Sequence, residues 1–469
     1  MTNTTIEQTH QIVAASLTAF QQWSAATPAE RAACIEAMAD ALDANAEALA
    51  EIANAETHLG MPRLIGEVAR TTFQLRSFAT EAKNPTLTAE VVSDAVDGAP
   101  PVGRPSLRKI HVPLGPVAVF GAGNFPFAFA DLGGDSASAL GAGCTVVIKQ
   151  HHGYPKTSAE VLRLARTALE SRGMNPDVLT VVIGREAAQA LVAHPDIQAV
   201  GFTGSLVVGR TLWDIAVSRP RPIPFYGELG SANPVFITQA ALDARRDSIA
   251  QDAAASISLG LGQFCTKPSL LIVPEDEAFI GAVSEALGQV AEGQLLSASS
   301  ASRFSETVDI VKGRGGVSEV LATRIDTDND VVSPGLLRVS AEDFLADHEA
   351  IATECFGPLA VVITYTSQEQ VDQIAEVLEG GLVLTVHAEY PEDKEVVSRL
   401  YQVGKRLFGR VVTNGWPTGV SVAPGQHHGG PYPASTISAF TSVGLQAVMR
   451  FVRPVAFQGL AGSGWDELV

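Results

Sequence analysis

The residues that could do chemistry lie beside apolar runs. Cys265 sits in Gly262-Gln263-Phe264-Cys265-Thr266-Lys267-Pro268, between a glycine bend and a proline, which suits a thiol on a loop. Such a thiol can attack a carbonyl carbon if a neighbouring base or a lowered pKa supplies the thiolate. Glu228 stands between glycines in Tyr226-Gly227-Glu228-Leu229-Gly230 and could take a proton from water. Asn124, in Gly121-Ala122-Gly123-Asn124-Phe125-Pro126, carries an amide able to donate to a developing oxyanion. Each has a plainer reading when taken alone. Most cysteines are small buried hydrophobes, surface glutamates are common, and a lone GxG is a glycine-rich turn. No helical spacing joins Glu228 to Cys265, so the fold has to bring them together.

Other residues suit a nucleotide. Lys149 closes the run Val146-Val147-Ile148, and its turn carries His151, His152 and Lys156. A strand-end lysine is usually a solvated cation; at the mouth of a nucleotide site it would bind ribose hydroxyls or a phosphate. Gly204 and Ser205 end the run Ala199–Phe202, with Arg210 one turn on. Ser205 can cap a helix whose first amides would face a pyrophosphate, although a capped helix without a ligand has the same geometry. Cys34 and Cys144 read as structural, while Cys355, between Glu354 and Phe356, stays open. Four cysteines without CxxC spacing indicate neither a disulfide framework nor a zinc or thioredoxin-like site.

The elements that must position these residues follow from periodicity. Residues 5–83 read as helical, with a complete start signal at Thr27-Pro28-Ala29-Glu30 and Cys34, Ile35, Met38, Leu42 and Ala46 at helical spacing. Residues 94–105, rich in proline and glycine, read as an irregular connection or arm. From residue 115 short β-branched runs alternate with amphipathic stretches. Strands are expected at 116–120, 145–149, 179–183 and 198–202, with helices over about 128–140 and 158–171. A second series has strands at 234–237, 270–273, 359–363, 382–386 and 410–412. Alternation of this kind implies parallel sheets, whose ligands sit beyond the carboxyl ends of the strands. Phe451-Val452 and Pro454–Phe457 read as an edge or intersubunit strand.

The chain has 469 residues, 32 Lys+Arg against 51 Asp+Glu and a net charge of −19, so two or three full cores are expected. That charge argues against a nucleic-acid or anionic-membrane partner. No apolar run reaches the length of a membrane span, and Met1 to Trp23 has no secretory pattern. A cytoplasmic protein with reduced thiols is expected.

Six blocks then line up with one family. GAGNFP (121–126), VVIK (146–149), GFTGS (201–205), GELG (227–230), GQFCT (262–266) and ECFGP (354–358) occur in the order and near the spacing of the aldehyde dehydrogenase superfamily, which the chain resembles along essentially its whole length. The resemblance implies an α/β fold with a Rossmann-type cofactor domain (1–229, with an oligomerisation arm at 94–114), an α/β catalytic domain (230–435) and a C-terminal segment (436–469) carrying an oligomerisation strand. It implies Cys265 as nucleophile, Glu228 as the base for the deacylating water, and Asn124 as an oxyanion donor with the Cys265 amide. Lys149 and Glu354 fall on positions that bind the adenine-side and nicotinamide-side riboses, with Phe356 in the same block as Glu354. Gly204 and Ser205 fall on the pyrophosphate-binding helix start. No metal is implied. A homodimer or homotetramer is implied, with the arm and the C-terminal strand exchanged between subunits.

FYGELGSANP (225–234), GQFCTKP (262–268), NGWPTGV (414–420) and HGGPYPASTIS (428–438) resemble the branch holding α-ketoglutarate semialdehyde dehydrogenases and NADP-dependent bacterial fatty-aldehyde dehydrogenases. In that branch a histidine lies near the thiol, which makes His428 an auxiliary candidate. The position three residues after the lysine, often glutamate in the family, is His152 here. Loss of that carboxylate removes repulsion toward a 2′-phosphate, and Arg210 could pair with one, so NADP is favoured with NAD open. The expected activity is oxidation of α-ketoglutarate semialdehyde. Alternatives are aliphatic aldehydes, a CoA-acylating reaction, a cofactor-free esterase and a non-catalytic homologue. A semialdehyde acid needs a basic group, for which Arg172, Arg450 and Arg453 are candidates by composition alone.

Overall fold

A computed structural model describes residues 2–460. The end of the expected C-terminal segment, residues 461–469, lies outside the described residues. The N-terminal helical stretch is four helices: α1 (Ile6–Ala25), α2 (Pro28–Asp43), α3 (Ala46–Thr57) and α4 (Met61–Lys83). The start signal at Thr27 is a reciprocal capping box. The Glu30 amide donates to Thr27 Oγ1 at 3.2 Å and the Thr27 amide to Glu30 Oε2 at 2.8 Å. Ala46, which continues the α2 spacing in the sequence, belongs to the next helix.

An antiparallel hairpin, β1 (Val91–Ser93) and β2 (Leu107–Pro113), follows the helices. The first large sheet comprises β3 (Val117–Phe120), β4 (Val146–Lys149), β5 (Leu179–Val182), β6 (Ala199–Thr203) and β7 (Phe225–Glu228). Its strands are parallel in the order β5-β4-β3-β6-β7. The direction of winding reverses between β3 and β6, and ligands of doubly wound sheets bind at such a switch point. Helices cover both faces. On one, Trp23, Ile35, Met38, Leu75 and Phe78 pack on Val117, Val119, Val146 and Ile148; on the other, Leu191, Leu212 and Ala216 pack on Ala118, Val147 and Val200. The crossover helices are α5 (Gly134–Ala142), α6 (Pro155–Ser171), α7 (Arg185–Ala193) and α8 (Leu206–Ser218).

The helix expected over 128–140 starts later, at Gly134. The Phe127 and Ala128 amides donate instead to the buried Glu67 carboxylate, at 2.8 and 3.0 Å. That carboxylate holds the segment after Asn124 as turns and keeps it facing α4.

The second large sheet has seven strands. They are β8 (Asn233–Ile237), β9 (Pro268–Pro274), β11 (Ser318–Leu321), β14 (Gly335–Ser340), β15 (Leu359–Tyr365), β16 (Gly381–His387) and β17 (Phe408–Thr413), in the order β11-β14-β15-β9-β8-β16-β17. All neighbours are parallel except β11 with β14. Its central strands are buried on both faces, as the continuous apolar runs of a covered parallel sheet require. A small antiparallel sheet of β10 (Gly293–Gln294), β12 (Ile325–Asp326) and β13 (Val331–Val332) has no counterpart among the strands expected from periodicity. The C-terminal strand β18 (Val452–Gln458) pairs antiparallel with β2 of the same chain over its full length. The arm and this strand, each without an evident partner in the sequence, partner one another.

Candidate active site

Strand ends from both large sheets contribute to the site. Phe120, Lys149, Thr203 and Glu228 are the last residues of β3, β4, β6 and β7. The contributions of the second sheet come from its amino ends instead. Cys265 precedes β9, Glu354 and Phe356 precede β15, and Leu382 is the second residue of β16. A search confined to the carboxyl ends of strands therefore finds half of the residues. A cavity of about 430 Å³ at these strand ends is lined by Asn124, His152, Gly204, Ser205, Glu228, Cys265, Glu354, Phe356 and His428. A second cavity, about 520 Å³, contains Cys34 and Arg172 and none of this chemistry.

The nucleophile loop is built under constraint. Gly260, Leu261 and Gly262 have φ of 55°, 54° and 66° in succession. A Cβ at Gly262 would stand 2.2 Å from the Gly357 carbonyl oxygen, so glycine is required both for its left-handed backbone and for the close approach of the Glu354–Pro358 turn. Asn233 locks the other side. Its amide donates to the Cys265 and Lys267 carbonyls at 2.8 and 2.9 Å. Its oxygen accepts from Ser231 Oγ at 2.8 Å and the Val383 amide at 3.2 Å. Ser231 Oγ also accepts from the Leu382 amide at 2.8 Å, so one buried network ties β8, the Cys265 loop and β16.

Cys265 Sγ lies 3.6 Å from His428 Nε2. Burial pushes the thiol up to about 12, with the nearby Glu228 and Glu354 carboxyls adding to the shift. The thiol is therefore not self-activated and needs a base. Burial holds the His428 imidazole down at about 3, with Arg410 and Arg70 contributing, so at neutral pH it stays neutral and can hold the sulfur by a hydrogen bond without taking up its proton. The His428 amide donates to Thr441 Oγ1 at 2.9 Å, which fixes its loop.

Glu228 stands across the cavity. Burial raises its carboxyl to about 8, opposed by Ser435 and by the more distant Arg450. Ser435 Oγ donates to Oε1 at 3.1 Å, whereas Oε2 is buried without a partner among the described residues. His428 opens the block 428–438 and Ser435 lies within it, so the loop that presents the imidazole also anchors the carboxylate. Asn124 donates one amide hydrogen to the Gln263 carbonyl at 2.9 Å, which leaves the second for a ligand. Arg63 Nη2 donates to the Asn124 carbonyl at 2.6 Å.

The remaining candidates divide. The Ser231 amide donates to Glu354, whose buried carboxyl is raised to about 7. A Cβ at Gly230 would meet Glu354 Oε2 at 2.7 Å, so glycine is needed to admit that side chain. Lys149 is half-buried, lowered by desolvation, and makes no hydrogen bond or ion pair among the described residues. Ser205 occupies the N-cap of α8 but its hydroxyl caps nothing, which leaves the first amides of the helix open to a ligand. Arg210 is not brought to the cavity. It is exposed on α8, paired with Asp214 at 3.0 Å and over the Trp213 ring at 5.0 Å. The candidate basic residues also fall elsewhere. Arg450 is buried in an ion pair with Asp135 at 2.7 Å, and Arg453 is exposed on β18. Arg70 and Arg410 lie close enough to act on the thiol and Arg63 stands over Phe264 beside it, and no motif in the sequence points to these three.

An uncapped helix start and a buried carboxyl line one cavity at a sheet switch point, and the half-buried ammonium of Lys149 ends the strand next to that switch. They fit a dinucleotide: Lys149 and Glu354 suit ribose hydroxyls and the α8 amides a pyrophosphate.

A thiol with a neutral imidazole, an amide donor and a carboxylate raised toward neutrality, set beside such a cleft, defines a thiol-dependent dehydrogenase. The chain belongs to the aldehyde dehydrogenase family, whose model matches residues 1–449, and is an aldehyde-oxidising oxidoreductase; the family uses NAD or NADP. It is 41% identical over 445 residues to alpha-ketoglutaric semialdehyde dehydrogenase 2 of Azospirillum brasilense, covering 94% of this chain and 84% of that protein. It is 35% identical over 460 residues to the alpha-ketoglutaric semialdehyde dehydrogenase of Acinetobacter baylyi, covering 97% and 87%. The fold superposes on glyceraldehyde-3-phosphate dehydrogenase GapN from Methanocaldococcus jannaschii, solved with NADP, with a TM-score of 0.82 at 18% identity, covering 97% of this chain and 95% of that one. Among the described residues no helix is long and apolar enough to cross a membrane.

Proposed function

We propose that this chain oxidises α-ketoglutarate semialdehyde to α-ketoglutarate, with NADP the preferred cofactor. The observation that carries the chemistry is the convergence of Cys265, His428 and Glu228 on one cavity. Cys265 attacks the aldehyde carbon as the thiolate, its proton lost to solvent, while the neutral His428 ring holds the sulfur by a hydrogen bond. The second amide hydrogen of Asn124 and the Cys265 amide hold the resulting oxyanion. A bound nicotinamide supplies the hydride acceptor that the chain itself lacks. The product of that oxidation is a thioester on Cys265. Glu228 Oε2, free of partners, then takes a proton from the attacking water while Ser435 holds Oε1 in place. Use of water rather than a second thiol follows from this unpaired carboxylate, which a CoA-acylating enzyme would not need.

The substrate reading rests on likeness to the two semialdehyde dehydrogenases. The cofactor reading rests on His152, which lines the cavity where a carboxylate would repel a 2′-phosphate. Arg210 reaches that phosphate only by leaving Asp214. Within this reading residues up to 229 hold the cofactor, 230–435 carry the thiol, and the chain assembles as a dimer or tetramer. The test is kcat/KM for α-ketoglutarate semialdehyde against an aliphatic aldehyde, each with NAD and NADP. The expected result is a higher value for the semialdehyde with NADP. Preference for the aliphatic aldehyde overturns the substrate, and preference for NAD overturns the cofactor.

A further inference from the structure

Three arginines crowd the far side of the thiol in a protein whose net charge is −19. Arg63 and Arg70 lie two turns apart on α4. The Arg63 guanidinium sits 5.0 Å from the Phe125 ring centre and 4.8 Å from that of Phe264. The Arg70 guanidinium sits 5.8 Å from the ring of Phe129, which in turn stands 6.2 Å from the His428 ring, and His428 touches Cys265. Arg410, from β17, completes the group. Arg70 Nη1 donates to the Val420 carbonyl at 2.5 Å, and Arg410 donates to the carbonyls of Gly419, at 2.9 Å, and Pro417. The Gly419 amide donates to Thr266 Oγ1 at 3.2 Å. Both guanidinium groups therefore grip a loop that rests on the residue next to the nucleophile.

The free donors distinguish the three. Arg410 spends both terminal nitrogens on that loop. Arg63 spends Nη2 on Asn124, which breaks its side edge, and the Nε and Nη1 left without a partner among the described residues do not form a parallel pair. Arg70 spends only Nη1, and its Nε and Nη2 are buried without a partner among the described residues. Nε and Nη2 form the side edge of the guanidinium, two parallel N–H groups that match a carboxylate in a bidentate fork. Buried donors left unmade cost about 1–3 kcal/mol each, so this edge calls for an acceptor. The carboxylate one turn away on the same helix, Glu67, already takes two backbone amides on Oε1 and is raised to about 7 by burial, which weakens its charge. Phe125 packs against both Phe129 and Phe264 beside the arginines, an apolar surface suited to a methylene chain.

We propose that Arg70, backed by the charge of Arg410, is the subsite for a carboxylate at the far end of the aldehyde substrate. The inference rests on the semialdehyde reading above and assigns the residue that selects an acid over a neutral aldehyde of equal length. A neutral aliphatic aldehyde would leave the Arg70 edge unpaired.

The test compares kcat/KM for α-ketoglutarate semialdehyde with that for pentanal, in wild type, Arg70→Lys and Arg70→Met, alongside thermal melting and inhibition by glutarate. The acid-to-pentanal ratio is expected to fall roughly 10- to 100-fold in Arg70→Met, mostly through KM for the acid, with glutarate inhibition lost in parallel. Arg70→Lys, which keeps the charge without the fork, should fall between the two. An equal loss on both substrates, or an unchanged ratio, overturns the subsite and leaves Arg70 as a brace for Val420. A wild type that itself favours pentanal defeats the substrate reading instead, so the two failures are distinct.

Discussion

Glu228 owes its character to burial. Its carboxyl rises from 4.5 to about 8 because the cavity walls disfavour the charged form more strongly than Ser435 and Arg450 favour it. Between about 4.5 and about 8 the folded chain holds a proton that the unfolded chain has released, so this group's contribution to stability falls as pH rises through that window. The base is also unavailable below about 8, so kcat is expected to climb through that pH. Glu228→Gln should remove both effects: a pH–rate profile without the limb near 8, and a denaturation midpoint that declines less between pH 5 and 8 than in wild type. A limb that persists in the variant assigns the titration elsewhere. Cys265, Glu228 and Asn124 were legible in the sequence because their blocks occur together and in order. The place of His428 beside the thiol was legible only through the branch resemblance, since a loop histidine carries no signal of its own. Arg70 was not legible, because a helical arginine ten residues after a glycine turn has no motif.

At the scale of elements, position depends on one buried side chain. Asn233 joins the carbonyls of Cys265 and Lys267 to the amide of Val383, and nothing in Gly230-Ser231-Ala232-Asn233-Pro234 announces a hub. Asn233→Ala strands these groups in the interior. A loss of about 1–3 kcal/mol in denaturant unfolding is expected, together with a lower rate of thiol acylation and little change in cofactor affinity. Asn233→Ser, which keeps a donor, should restore part of both. A stable variant with normal acylation would show that the loop is held by its backbone alone. Periodicity located the helices and the long strands, since a buried parallel strand is a continuous apolar run. It misplaced the start of α5 because the Glu67 hydrogen bonds to Phe127 and Ala128 are made across some sixty residues of chain, beyond any local window. It missed β10, β12 and β13, each of two residues, because a period cannot be read from two positions.

At the scale of the molecule, the C-terminal segment closes on the first sheet. Arg450 pairs with Asp135 at 2.7 Å with both side chains nearly sealed from water, and it donates to Ser138 Oγ at 3.3 Å. Removing one member of such a pair leaves an uncompensated charge. Arg450→Met is expected to cost about 3–5 kcal/mol in equilibrium unfolding, far more than loss of the exposed Arg210–Asp214 pair. The variant also loses a positive charge that lowers Glu228, so the rising limb of the rate profile near 8 should move to higher pH. A small loss of stability with an unmoved limb would separate this segment from the site. The pairing of β2 with β18 belongs to the same scale, and no periodicity could reveal it because the two strands are more than three hundred residues apart.

The central claim is that Cys265 forms the acyl intermediate and Glu228 resolves it. The direct measurement is rapid mixing of Glu228→Gln with aldehyde and NADP, followed by intact-mass analysis and peptide mapping. The account predicts a burst of reduced cofactor equal to the number of sites, then near arrest, with the acyl group found on Cys265. Continued turnover at the wild-type rate, or an acyl group on any other residue, would contradict it.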